Sequence, residues 1–206
     1  MSISPRYLAH TFGTGAHTIE LFLDYVCPFS KKMFDVIYEE VFPQLEKQYP
    51  GKFKFVFRHQ IQPWHPSSTL VAEAGIAVAL LGDQDKFWKF SNALFGQSSS
   101  YYDEAVYHET RPQTYDRLAE LARTSAGVDK KAFLDLVSVP EGENKNAGNK
   151  IGQDVKNFVK FARQNSIHVS PTVTVDGVVD GQISSGWSKD QWLEKLGEIA
   201  KTSSRL

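Results

Sequence analysis

Ile19-Glu20-Leu21-Phe22-Leu23-Asp24-Tyr25-Val26-Cys27-Pro28-Phe29-Ser30 is the stretch on which the fold turns. An apolar run rich in β-formers ends, Cys-Pro follows, and the helix-favouring Lys31-Lys32-Met33-Phe34 begins. This is a strand delivering a thiol to the first turn of a helix. Pro28 suits the first helical position, where no N–H is needed. The amide groups and positive dipole of a helix N-terminus stabilise a thiolate, the reactive form of cysteine. Lys31 and Lys32 add positive charge, whereas Tyr25, Phe29 and Trp64 would desolvate the sulfur. Cys27 is the one cysteine of the chain, and Ser30 stands three residues on, where a dithiol enzyme carries its second.

Outward from this point, residues 28–48 read as one long helix, with Phe29, Met33, Phe34, Ile37, Val41 and Leu45 three or four apart. Tyr49-Pro50-Gly51 stops it. Lys52–Arg58 reads as a second strand, so the two strands should be parallel neighbours joined by a right-handed crossover. From Pro66 to about Arg163 the pattern turns helical. Ser68–Leu81 is apolar on most sides and reads as a buried helix. Lys86–Phe95 carries aromatics at helical spacing, and Thr114–Ser125 and Asp129–Val137 are two short helices. Pro140–Arg163 opens polar and then sets Ile151, Val155, Phe158 and Phe161 on one stripe, while Gln97–Pro112 is the least patterned stretch. Ser170–Gly181 returns to strand, Asp-Gly turn and strand. Ser188 and Gln191 match a capping box opening a last helix with Trp192, Leu193, Leu196 and Ile199 on its core face.

The order β-α-β, helical block, β-β-α is an α/β thioredoxin fold with an all-helical insertion. Residues 1–62 would form its first part, 63–165 the insertion and 166–206 its last part, in one integrated domain. Four pieces carry a likeness: Phe22–Ser30 with its helix, Phe57–His65, Phe87-Trp-Lys-Phe90, and Val169–Gly177. Through them the chain resembles the DsbA-like branch of the thioredoxin superfamily. The resemblance implies a cis Ser170-Pro171 bond beside the active-site thiol, with the backbone of Ser170 free to pair with substrate. A more distant likeness is to kappa-class glutathione transferases, which use serine where Cys27 stands. Monothiol glutaredoxins, which hold glutathione with an iron–sulfur cluster, share a related Cys-x-Phe-Ser pattern but lack the insertion.

Ser30 decides the reaction type. A hydroxyl donates a hydrogen bond to a thiolate but cannot attack a disulfide. A mixed disulfide on Cys27 must then be resolved by an outside thiol, with glutathione the natural co-substrate and no tightly bound cofactor expected. The expected catalytic set is Cys27, Ser30 and Pro171. The expected substrate contacts are Pro28, Phe29, Ser170, Trp64 and His168. The alternatives are a kappa-type transferase and a non-catalytic binding module for a peptide or protein thiol.

Asp24 is expected to be a solvated loop residue, and Leu21 fills the place where dithiol enzymes often keep a buried acid. His59 and His65 lack the three or four convergent ligands of a metal site. Gly13-Thr-Gly-Ala16 precedes a strand and reads as a loop. The net charge of −1 argues against nucleic acid or an anionic membrane as partner, and no apolar run reaches the roughly 20 residues of a transmembrane helix. One cysteine, no secretory pattern and no Asn-x-Ser/Thr site fit a cytoplasmic location, while Ser204-Arg205-Leu206 resembles a peroxisomal address.

Overall fold

The structure, a computed structural model, describes residues 4–202; the Ser204-Arg205-Leu206 tripeptide lies outside the described residues. A 3-10 turn, Pro5–His10, leads into β1 (Thr11–Phe12), β2 (His17–Leu23), α1 (Pro28–Asp35), a π-helical segment Val36–Val41, α2 (Phe42–Gln48) and β3 (Phe53–His59). The helical block follows as α3 (Ser68–Leu81), α4 (Gln84–Gly96), a 3-10 turn Ser98–Tyr101, α5 (Asp103–Val106), α6 (Arg111–Ala126), α7 (Lys130–Val137) and α8 (Gly152–Gln164). The chain then returns through β4 (Thr172–Val175), β5 (Val178–Val179) and α9 (Lys189–Thr202).

The strand order is β1-β3-β2-β4-β5. β2 and β3 are parallel, with Ile19 beside Phe55 and Leu23 beside His59. β4 runs antiparallel to β2, from Ile19 opposite Val175 to Phe22 opposite Thr172. β2 is buried along nearly its whole length, which is why its apolar residues cluster on both faces, with Glu20 the one charge among them. Asp176 and Gly177 take φ of 49° and 87° and close the β4–β5 hairpin with the two left-handed residues that its twist favours. The last helix is opened by the expected box: Gln191 Oε1 accepts from the Ser188 amide at 2.9 Å and Ser188 Oγ from the Gln191 amide at 3.4 Å.

The main core lies between the sheet and the helices that carry the aromatics. Phe34 of α1, Phe57 of β3 and Phe87, Trp88 and Phe95 of α4 are buried against one another. α3 is buried without a break from Val71 to Ala79. Gly75 lets it approach the sheet: a Cβ there would lie 2.7 Å from His59 Cε1 and 2.8 Å from Tyr25 Oη. A smaller cluster of Phe22, Ala162 and Ile167, with Phe161 against it, covers the other side of β2.

Two expectations need correction, and one strand is new. The helix over 28–48 is widened in its middle, where the Phe42 amide bonds Ile37 O five residues back. Pro43 follows at once, and its missing N–H cannot continue the normal ladder. The span from Pro140 becomes helical only at Gly152, because Pro140 and the polar Glu141–Asn146 run offer no face to bury; Ile151 and Phe158 are buried, Val155 and Phe161 half-buried. β1 is an additional antiparallel strand on β3, Thr11 opposite Val56, held by Trp88 Nε1 donating to Thr11 O at 2.8 Å. Two residues are too few to show a period.

Candidate functional site

β2 ends at Leu23, and four residues later Cys27 is the N-cap of α1, with φ −84° and ψ 118° and Pro28 behind it. The turn is closed by the Cys27 amide donating to Asp24 O at 3.0 Å, and the helix begins with Lys31 N–H on Cys27 O at 3.0 Å. The Cys27 side chain makes no capping bond to the first turn. Its S–H instead donates across to the carbonyl of Ser170, with Sγ to O 3.6 Å. The Ser170-Pro171 peptide is cis, and the β2–β4 ladder starts only at Thr172. The thiol thus faces the backbone of the residue before the proline, and keeps 5% of its surface exposed.

Ser30 is fully buried, and its Oγ accepts the Asp24 amide at 3.2 Å. Its described partner is therefore the turn that carries the thiol and not the sulfur itself. Among the flanking charges, Lys31 Nζ is engaged by Asp35 at 2.5 Å, while Lys32 is exposed. The expected desolvating aromatics are not arranged as such. Tyr25 turns into the core, bonds Ser91 Oγ at 2.7 Å and packs on Phe57 and Phe95, whereas Phe29 and Trp64 stand 62% and 59% exposed.

Asp24 is the largest departure from expectation, since it is buried and not solvated. Oδ1 accepts the Val26 amide at 3.1 Å. Oδ2 accepts the Gln62 amide at 3.2 Å and the Ser68 hydroxyl at 2.6 Å, and lies 3.1 Å from His65 Nδ1. This one carboxylate ties the cysteine turn to the segment after β3 and to the start of α3. The Asp24-Tyr-Val triplet before a Cys-Pro was the available signal. A short acid followed by unpaired turn amides is a common way to satisfy them.

Two clefts are lined by residues expected at the site, and the first adjoins Cys27 through its neighbours Val26 and Pro28. One, of about 300 Å³, is lined by Val26, Pro28, His65, Tyr101, Tyr102 and the acids Asp103 and Glu104. The other, of about 190 Å³, lies between Gln60–Trp64 and the end of α8 with its following loop, and includes Arg163 and His168. His168 and Trp64, both expected to contact substrate, share this second cleft; Pro28 lines the first.

Two buried polar groups escaped the sequence. Glu20, one residue before the expected acid position, is fully buried and accepts from Arg58 Nε at 2.9 Å, Arg58 Nη2 at 2.6 Å and Thr174 Oγ1 at 2.8 Å. Arg58 also lies over the Phe161 ring at 4.3 Å. His59 pairs with His10, Nε2 to Nε2 at 3.0 Å, and His10 Nδ1 meets Tyr7 O at 3.2 Å. A carbonyl only accepts, so His10 carries its proton on Nδ1 and His59 donates from Nε2. Burial lowers both pKa values, that of His10 to about 3. Neither ring belongs to the thiol site.

A family model described as thioredoxin matches residues 14–192. The chain belongs to the thioredoxin family. Within it, solved structures place the chain among DsbA-like folds. A candidate protein-disulfide isomerase from Pseudomonas syringae is 25% identical, with a TM-score of 0.72 over 92% of this chain and 98% of that one. BdbD from Bacillus subtilis is 22% identical, TM-score 0.66, over 93% and 92%. DsbA from Chlamydia trachomatis is 15% identical, TM-score 0.63, over 99% and 95%. No curated protein matches at a significant level. This thioredoxin-family member carries the fold of DsbA-like thiol-disulfide oxidoreductases, and it does so with one cysteine.

Proposed function

We propose that this chain is a monothiol thiol-disulfide oxidoreductase that works with an external thiol such as glutathione. The contact of Cys27 Sγ with Ser170 O, beside a buried serine in place of a second cysteine, carries the reading. The Cys27 thiolate attacks one sulfur of a glutathione mixed disulfide; a new S–S bond joins Cys27 to glutathione, and the substrate leaves as a thiolate. A second glutathione thiolate then attacks the glutathione sulfur, releasing oxidised glutathione and regenerating Cys27. The proton given up by the incoming thiol ends on the departing one, so the net reaction is RSSG plus GSH to RSH plus GSSG. Ser30 has no sulfur with which to shortcut the second step. Ser170 supplies a backbone edge outside the sheet ladder against which an extended substrate can lie. Pro28, Phe29, Trp64 and His168 border the ground on which it would rest.

The test is turnover of a small glutathione mixed disulfide with reduced glutathione in excess. The wild-type chain should cycle, and Cys27→Ser should be inactive. Equal activity of the two chains would remove the proposal.

A further inference from the structure

We infer that the cleft between Pro28 and the Tyr101–Glu104 segment holds the cationic side chain of a basic cysteinyl peptide, so that the thiol released from the mixed disulfide carries an ammonium or guanidinium on a neighbouring residue. The inference rests on the exchange proposed for Cys27 and names the substrate class that this site selects.

Tyr101 carries it. The residue is 2% exposed and lines the cleft, and its Oη has no hydrogen-bond partner among the described residues. A buried phenol ordinarily finds one. The carboxamide of Gln62 lacks a partner too, but its atoms are sealed from solvent, whereas the Tyr101 hydroxyl still meets it. The ring is pinned by Arg117, which lies 4.5 Å from its centre and is itself held by Glu109 at 2.6 Å and Ser100 O at 2.9 Å. A fixed hydroxyl is thus left open to a group arriving from outside. The cleft measures about 300 Å³, equal to about ten waters at roughly 30 Å³ each. That is room for a long side chain and not for a folded segment.

The rest of the wall selects the charge. Asp103 and Glu104 are exposed and have no cationic partner among the described residues, and no lysine or arginine lines the cleft. Their place in the first turn of α5 accounts for acids there, but not for the open hydroxyl beside them. His65 Nδ1 meets Asp24 Oδ2 at 3.1 Å; a carboxylate only accepts, so this nitrogen donates and Nε2 of the neutral ring is left an acceptor. Tyr102 adds a ring face that attracts cations. Carboxylates, acceptors and an aromatic face complement an ammonium or guanidinium and repel an anion. The cleft also adjoins the reacting residue. Val26 and Pro28 are bonded to Cys27 on either side, so an occupant against them lies one residue, about 3.8 Å of backbone, from Cys27. Lysine carries its charge on a flexible four-carbon stem, which lets a substrate sulfur stay at Cys27 while the charge rests by the acids. A cation near the departing sulfur also stabilises its thiolate, and so favours its release in the first exchange step.

The experiment sets a short cysteinyl-lysine peptide against its Nε-acetylated counterpart, on the full chain. As glutathione mixed disulfides with reduced glutathione in excess, and corrected for uncatalysed exchange, the lysyl peptide should show a kcat/KM roughly tenfold higher at low ionic strength. The ratio should shrink in about 0.5 M salt, which screens exposed acids. Asp103→Asn combined with Glu104→Gln should bring it to about one. Tyr101→Phe should cut it roughly threefold while the thermal midpoint stays level, since the lost hydroxyl had no partner in the protein. The S-methylated lysyl peptide, which cannot exchange, should slow alkylation of Cys27 more than its acetylated counterpart does. Equal rates for the two peptides, a ratio preserved in the double variant, a lowered midpoint in Tyr101→Phe, or alkylation that the S-methylated peptide leaves unslowed would each overturn the inference. Exchange at Cys27 without preference for lysine sinks this inference alone. Lysine-dependent shielding of Cys27 without exchange sinks the proposed reaction and leaves the cleft assignment standing.

Discussion

Replacing Asp24 with asparagine keeps the shape of the side chain and changes what it can accept. The carboxylate receives the amides of Val26 and Gln62 and the Ser68 hydroxyl, and meets His65 Nδ1, at 2.6 to 3.2 Å while buried at 3% exposure. An asparagine oxygen placed at the Oδ2 position keeps the three partners there. Its NH₂ then faces the Val26 N–H, donor against donor. One bond to a charged acceptor is lost, about 1.5–3 kcal/mol, and one buried amide is orphaned, so a total of roughly 2–4 kcal/mol is expected. For a chain of this size that is a fall in Tm of about 5–15 °C. Urea unfolding followed by circular dichroism measures it, with the m-value checked for constancy. The turn that presents the thiol should loosen too, so alkylation of Cys27 under native conditions should change rate. A stability within about 0.5 kcal/mol of wild type would refute the view that Asp24 holds the cysteine turn in place.

Three further outcomes follow from other parts of the molecule. His10 takes a proton near pH 6.5 when unfolded and only near 3 when folded, so the unfolded chain binds more protons between these values. Stability is therefore full above about pH 6.5 and lost on acidification towards 3, by roughly 5 kcal/mol for His10, with His59 acting in the same direction. Unfolding curves that are flat from pH 7 to 4 would contradict it. Ser30→Cys should form an internal disulfide with Cys27 on mild oxidation and release a mixed-disulfide partner once without glutathione, seen as loss of both free thiols to a maleimide. Arg58→Met should cost about 3–5 kcal/mol by leaving Glu20 charged and unpaired in the sheet, and the double change Glu20→Gln with Arg58→Met should recover part of it, both measured by urea unfolding.

Much of the fold was legible because its determinants are local. The apolar run before Cys-Pro, the Asp176-Gly177 turn and the Ser188–Gln191 box each act within a few residues, and each stands where its spacing placed it. The contact of Cys27 with the Ser170 carbonyl followed from the family resemblance and not from the spacing of residues 143 positions apart. The polar interior was hardly legible. Asp24 meets Gln62, His65 and Ser68 at separations of 38 to 44, Glu20 meets Thr174 at 154, and His10 meets His59 at 49. No period records such pairings. A trace was present for one: Glu20 and Arg58 are opposite charges, each interrupting an apolar strand, and neighbouring strands bring such pairs together. Gln62 gave no sign, because an amide without a partner is visible only once its surroundings are built.

Incubating the folded chain with oxidised glutathione and mapping the product by peptide mass spectrometry decides whether Cys27 performs the exchange. One glutathionyl group on Cys27, released by excess reduced glutathione, is the predicted result. A Cys27 that stays unmodified while the same thiol reacts in the urea-unfolded chain would contradict the account.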